Sequence, residues 1–331
     1  MTGSATRHTP KLSTEDALEQ LEVFLEKHLS GDTPVLKEIS LYLIRSGGKR
    51  IRPAISFLCA ELLGDITQDH IKGAACIELI HTATLFHDDV MDGSLIRRGE
   101  KTSHTIWGAN HSILAGDYLL CKALSLLSEI RNWNVVRLIQ TCATSVVQGQ
   151  AMELAMNEVP GEKQEGSYFD VIRLKTASLF EAAAVLPGAL CETSIEKMRA
   201  LKVLGENLGI CFQLHDDLMD YFGTEAQLGK KPGQDFREKK RTLPLIWASQ
   251  RALMSEKRKI EAWLKDGSDR SFQEMATLMR THNIPHKIFL KAGSYSKDTQ
   301  QSLEKFDSPA AHEASRNLKD IVSALTEPAK L

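Results

Sequence analysis

No apolar stretch of this 331-residue chain approaches the roughly 18 residues that a membrane span needs. A transmembrane anchor is therefore not expected. The first residues, Met1 to Leu12, are polar and rich in Thr, Ser, His and Pro. They lack the apolar core of a signal peptide. We read them as a loose polar tail ahead of one unit spanning residues 13–331, and expect a cytoplasmic protein. The six cysteines contain no Cys-x-x-Cys pair, and most lie in apolar runs such as Ser56-Phe57-Leu58-Cys59-Ala60. That argues against disulfides and a thiolate metal site, and for reduced, buried thiols. Excess charge of one sign is also missing. With 41 basic and 43 acidic residues the net charge is −2, so nothing marks a nucleic-acid surface. There is no compositional linker, no repeat at a solenoid period and little two-residue alternation.

Three- and four-residue apolar spacing is abundant. It runs through Ile71 to Met91, Ile113 to Ile130, Val135 to Met156, Tyr168 to Leu186 and Ile195 to Tyr221. None of these segments keeps a strict heptad, so a coiled coil is not expected. Ser13-Thr14-Glu15-Asp16 and Asp32-Thr33-Pro34 are helix openings. Gly47-Gly48, Gly93 and Gly161 mark turns, and Leu228 to Thr242, rich in Gly, Lys and Arg, reads as a mobile loop. The expected fold is all-α: a large single-domain helical bundle around a deep apolar cavity.

Two acidic runs end apolar helical segments. They are Asp88-Asp89-Val90-Met91-Asp92 and Asp216-Asp217-Leu218-Met219-Asp220, each Asp-Asp-x-x-Asp. Positions i and i+4 share a helical face, so Asp88 projects with Asp92 and Asp216 with Asp220. Like charges on one face repel, and a helix C-terminus disfavours anions. Carboxylates so placed against an apolar interior need counter-charge. Mg²⁺ supplies it, taking one or two carboxylates and completing its shell with water and phosphate oxygens. A solvated acidic patch is the competing reading, and the second copy of the run weighs against it. Basic residues meet the same demand. Lys49, Arg50 and Arg52 follow the Gly47-Gly48 turn and Arg97-Arg98 follow the first acidic run. Lys175 lies within a helical pattern, and Lys230, Lys231, Lys239, Lys240 and Arg241 follow the second run. Arginine forks and lysine point charges suit phosphate oxygens.

From about Leu36 to Leu245 the chain resembles the trans-polyprenyl diphosphate synthases. Gly47 to Pro53 fits that family's Gly-Gly-Lys-Arg-x-Arg-Pro signature, and Ile80 to Asp92 with Arg97-Arg98-Gly99 resembles its first aspartate-rich motif. Phe212 to Asp220 resembles the second, and Lys175-Thr176-Ala177-Ser178-Leu179-Phe180 and Gly229-Lys230 through Leu245 also fit. Three positions depart from the pattern. Gln148-Gly149-Gln150 replaces a common glutamate beside the glycine, His215 stands where a small or apolar residue is usual, and Lys239 replaces a glycine.

The resemblance implies an isoprenoid-synthase fold and an enzyme joining an allylic diphosphate to isopentenyl diphosphate. It implies Mg²⁺, three ions with the allylic substrate bound, held by Asp88, Asp92 and Asp216 with Asp89, Asp217 and Asp220 supporting. Arg97, Lys175, Lys230 and Lys240 would bind the allylic diphosphate. Lys49, Arg52, His81 and Arg98 would bind isopentenyl diphosphate, and Thr176 and Gln213 would lie beside the developing carbocation. His81 also stands about two turns before Asp88 on the same face. A homodimer is implied, as is a peripheral membrane contact during product release. Ala83 and Thr84, five and four residues before Asp88, are not aromatic, and Ile80 and Ile77 lie deeper on that face. An open first layer predicts a long-chain product. The alternatives are a farnesyl- or geranylgeranyl-length product, a class I terpene cyclase, and a non-catalytic subunit of a heteromeric synthase. A cyclase has no need of the second cation set, and a non-catalytic subunit has no need of all six aspartates.

Overall fold

The structure is a computed structural model that describes residues 12–29, 33–228, 231–306 and 308–326. The expected N-terminal tail therefore lies almost wholly outside the described residues. In chain order the helices are α1 (Thr14–His28), α2 (Pro34–Arg45), α3 (Ile51–Leu63), α4 (Gln68–Met91), α5 (Ser103–Trp107), α6 (Ala109–Ile130), α7 (Trp133–Leu154), α8 (Gln164–Ile172) and α9 (Ser178–Leu190). After them come α10 (Ile195–Phe222), α11 (Glu225–Leu228), α12 (Gln234–Arg237), α13 (Leu243–Arg251), α14 (Met254–Asp266), α15 (Asp269–Thr281), α16 (Ile284–Leu303) and α17 (His312–Thr326). The five long apolar periods correspond to α4, α6, α7, α8 with α9, and α10. Among the described residues no helix is long and apolar enough to cross a membrane.

Local chemistry sets the helix ends. Ser13 caps α1 through Asp16 N and the Asp16 carboxylate answers at Ser13 N, a reciprocal capping box. Pro34 stands in the first turn of α2, where a missing N–H costs nothing. The sequence gives no warning of one small sheet. Ile96–Arg97 and Glu100–Lys101 pair antiparallel around Arg98 (φ 52°) and Gly99 (φ 81°), both left-handed as a tight hairpin turn demands. The segment expected to be a mobile loop contains α12, and Gly233 N donates to Asp220 O at 2.7 Å. Four cysteines are buried as expected, but Cys121 and Cys191 are exposed, and all six are free thiols.

α4 packs along α6, and α10 packs along α9 and α16. The apolar interior has one cluster around α1, α4, α6 and α7, another around α8, α10, α13 and α16, and a third around α3, α9, α10 and α17. Between the first two run residues 173–177, a π-helical turn joining α8 to α9. Such turns insert one extra residue and recur at functional sites. Glycines let helices close on it. A Cβ at Gly209 of α10 would lie 2.5 Å from Ala177 Cα, and one at Gly149 of α7 would lie 2.4 Å from Lys175 N. Both obstacles are backbone and cannot swing aside. Gly209→Ala should therefore cost about 1–3 kcal/mol of stability through overpacking, read as a lowered Tm in calorimetry. An unchanged Tm would mean that α10 has room to move.

Candidate active site

α4 and α10 both present their aspartates at their C-terminal ends. Asp92 is the C-cap of α4, and the second run lies in the last two turns of α10. Helix dipoles disfavour anions at both places, and each carboxylate of the first run is matched by a cation. Asp88 lies 3.6 Å from Lys175 Nζ, which also lies 2.5 Å from Glu153 on α7. Asp89, almost fully buried, is held by the Arg97 guanidinium at 2.7–2.9 Å. Asp92 accepts from Lys240 Nζ at 2.8 Å, and Glu238 shares that lysine at 2.9 Å. Asp92 and Glu238 thereby raise the Lys240 pKa against the opposing effect of burial. Three of the four cations expected for the allylic diphosphate, Arg97, Lys175 and Lys240, thus sit on the first aspartate run.

The second run divides by role. Asp216 is exposed. Asp217, buried, accepts from Tyr168 Oη at 2.6 Å and from Gln213 Nε2 at 2.7 Å, and Gln213 Oε1 accepts from Thr176 Oγ1 at 2.7 Å. Asp220, also buried, accepts from Gln234 N at 3.2 Å and Asp235 N at 2.9 Å, tying α12 to the end of α10. The α12 segment also reaches the first run, because Gln234 Nε2 donates to Ser94 Oγ at 3.3 Å and Lys240 holds Asp92. The π-helical turn makes the other bridge, with Lys175 facing Asp88 and Thr176 facing Gln213. Burial pushes Asp217 and Asp235 upward in pKa. Two donors oppose the rise at Asp217, and Asp220 adds to it at Asp235.

A second cation group lies on the other flank. Arg50, in left-handed conformation at the start of α3, pairs with Glu22 and, at 3.1 Å, with Glu78, and donates to Ile44 O. It fixes the loop. Lys49 is exposed and acts electrostatically on His215 of α10. The Arg52 guanidinium lies 4.6 Å over the Phe180 ring. Gly48 lies close under the Arg98 guanidinium, where an added Cβ would stand 3.1 Å from Arg98 Nη2. Burial, with Arg52 and Arg98 as neighbours, holds the half-buried His81 imidazole well below its ordinary pKa.

The structure thus brings together Asp88, Asp89, Asp92, Asp216, Asp217, Asp220, Lys175, Thr176, Gln213, Arg97 and Lys240, and gathers Arg52, His81 and Arg98 beside them. Lys230 lies outside the described residues. Sequence reasoning missed Glu153, Tyr168, Asp235 and Glu78. Glu78 left a signal as a lone acid in an apolar run, whereas Tyr168 looks like any aromatic on a buried helical face. Two departures gain a physical account. Lys239 sits at φ 58°, where glycine is the easier residue. His215 lies against the Leu325 backbone at the end of α17, and burial lowers its pKa.

Among the described residues no three His, Cys, Asp or Glu side chains are grouped so as to hold an ion by themselves. The donor set still suits a hard divalent cation. The Asp88 and Asp92 side chains keep 16% and 20% exposure, and Asp216 is open. Mg²⁺ takes only one or two carboxylates and fills its shell with water and phosphate.

Two Asp-Asp-x-x-Asp helix ends set among lysines and arginines in a helical bundle make a site suited to a diphosphate and its divalent cations, and the comparisons with known proteins give the class as a prenyltransferase. The sequence profile of the polyprenyl synthetase family matches residues 33–280, so the chain belongs to that family. It is 36% identical over 264 residues to the octaprenyl diphosphate synthase of Escherichia coli K12, covering 80% of this chain and 81% of that one. It is 32% identical over 290 residues to the geranylgeranyl diphosphate synthase of Saccharolobus solfataricus, covering 85% and 87%. The crystal structure of a polyprenyl synthase from Caulobacter crescentus CB15, complexed with calcium and isoprenyl diphosphate, superposes with a TM-score of 0.88 at 31% identity, covering 96% of each chain.

One pH dependence follows. Burial raises the Asp88 pKa, Lys175 opposes the rise, and Glu153 and Asp92 add to it. Above the unfolded carboxylate pKa the folded state then binds more protons than the unfolded one, so this group's contribution to stability falls as pH rises through that window. In metal-free protein, Asp88→Asn should raise Tm by about 1–2 °C near pH 8, roughly 1 kcal/mol, with the gain shrinking toward pH 4. A scan of Tm against pH checks this, and a destabilised variant at pH 8 would refute it.

Proposed function

We propose that the protein condenses an allylic diphosphate with successive isopentenyl diphosphates to make a long-chain polyprenyl diphosphate, with residues 13–331 as one catalytic unit. The observation that carries this reading is the presence of two separate cation sets. Arg97, Lys175 and Lys240 sit on the first aspartate run; Arg52 and Arg98 lie beside His81, and the exposed Lys49 stands near His215. Two diphosphates need two such sets, whereas a terpene cyclase needs one. A non-catalytic subunit has no reason to keep the six aspartates in this arrangement.

Mg²⁺, three ions by our reading, would neutralise the allylic diphosphate and favour its departure; Asp88, Asp92 and Asp216 would hold it, and Lys230 would join the other cations. The lysines now on Asp88 and Asp92 turn to the phosphate oxygens. The allylic C–O bond breaks with its electron pair on the diphosphate. The isopentenyl π-electrons form the new C–C bond, and the proton then lost goes to the departing diphosphate. Thr176 and Gln213 offer oxygen acceptors beside the positive carbon. Lys49, Arg52, Arg98 and His81 hold the second diphosphate. We also propose a homodimer in the cytoplasm. An exposed apolar stripe on α6, Ile113, Leu114 and Leu124, supports the dimer.

Labelled isopentenyl diphosphate, an allylic primer and Mg²⁺ supplied to the purified chain test the reading. Lys49→Ala should raise KM for isopentenyl diphosphate tenfold or more, roughly one charge-assisted hydrogen bond, and leave the allylic KM within about twofold. Equal effects on both constants would merge the two sites and reopen the cyclase alternative.

For product length, the growing chain is taken to run from Asp88 toward the N-terminus of α4. Ala83 is fully buried, in the same apolar cluster as Ala115 and Leu119 of α6. Thr84 turns its hydroxyl back to His81 O at 2.7 Å. Ile80 and Ile77 lie deeper and narrow the path. Relatives of both octaprenyl and geranylgeranyl type are compatible with the family, and the small Ala83 favours the longer product. Ala83→Phe should shorten the product by several isoprene units while early condensations stay fast, as chromatography of the dephosphorylated lipids would show. A wild-type product of only fifteen or twenty carbons would remove the open-path argument.

A further inference from the structure

Tyr168, on α8, is a buried phenol whose hydroxyl is spent on the site rather than on the backbone. It donates to Asp217 Oδ2 at 2.6 Å, while Asp217 Oδ1 accepts from Gln213 Nε2 at 2.7 Å and Gln213 Oε1 accepts from Thr176 Oγ1 at 2.7 Å. Tyr168, Asp217 and Thr176 are all buried. Asp217 accepts at both of its oxygens, and the one facing Gln213 takes the Nε2 end of that amide, which sets the way the amide turns. With Nε2 inward, Oε1 must face Thr176. The threonine hydroxyl spends its proton on that oxygen and keeps its lone pairs free. A flipped amide would instead turn two N–H groups toward the same space. Oxygen lone pairs stabilise a neighbouring positive carbon, and N–H groups destabilise it.

We infer that Tyr168 is a positioning residue: by holding Asp217, it locks the Gln213 amide with its oxygen, and the Thr176 oxygen, presented to the allylic carbon as it becomes positive. This rests on the function proposed above. It gives Asp217 a role apart from metal binding and brings α8 into the site. The ring itself packs edge-on to Phe169 at 5.4 Å between centroids, so Tyr168→Phe removes the hydroxyl and keeps the packing.

A double-mutant cycle tests the chain of bonds. Tyr168→Phe should lower kcat tenfold or more and leave both substrate KM values within about twofold. Added to Gln213→Ala, it should lower kcat no further, because nothing remains to be oriented. An unchanged kcat, or the same fold loss in both backgrounds, would overturn the inference. If Tyr168→Phe fails to fold, Asp217→Asn runs the same cycle and is judged by the same outcomes. A second readout needs no turnover. In ¹⁵N-glutamine-labelled full-length protein, the Gln213 side-chain amide, assigned by its loss in Gln213→Ala, should show widely separated proton shifts that collapse in Tyr168→Phe. Identical spectra would overturn the inference even if the wild-type chain turned over no prenyl substrate, so its failure and that of the enzymatic reading are told apart.

Discussion

The structure depends on compensating carboxylates gathered at the C-terminal ends of two buried helices. Each helix end already carries negative dipole, and each aspartate adds to it. No local device relieves this, so the cations come from elsewhere: Lys175 from the π-helical turn before α9, Arg97 from the small hairpin, Lys240 from the segment after α12. Two of these pairs, Lys175–Asp88 and Lys240–Asp92, bind distant parts of the chain to one point. The same pairs are replaceable, because a diphosphate with its divalent cations offers both partners new counter-charge. An arrangement that neutralises itself when empty is also one that opens to a ligand carrying both signs.

Close helix approach makes this geometry possible. Gly149 and Gly209 let α7 and α10 press on the π-helical turn, and no other residue leaves room for backbone there. The turn shifts the helical register by one residue. Lys175 then faces Asp88 on one side while its neighbour Thr176 faces Gln213 on the other. Two identical aspartate runs acquire different roles from their surroundings. In the first, every carboxylate holds a side-chain cation. In the second, Asp217 orders an amide, Asp220 receives two backbone N–H groups, and Asp216 remains open.

Much of this was legible beforehand. The all-α fold, four long helices (α4, α6, α7 and α10), the paired aspartate runs and the Gly47–Pro53 signature are written in residue type and spacing, because helical periodicity and i,i+4 projection are local properties. The hairpin at Arg97–Arg98 escaped because two residues per strand leave no alternation to detect. The order around Gln234 escaped because its anchors, Asp220 and Ser94, lie 14 and 140 residues away.

The sequence by itself determined which groups carry charge, which helix faces are apolar and where carboxylates must crowd. Only the tertiary structure decided which cation answers which aspartate, that Glu153 shares Lys175, and that Tyr168 stands behind Gln213. The physical reason is range. Charge and periodicity belong to a residue and its near neighbours, but ion pairing and amide orientation depend on side chains brought within about 3 Å by packing of remote helices.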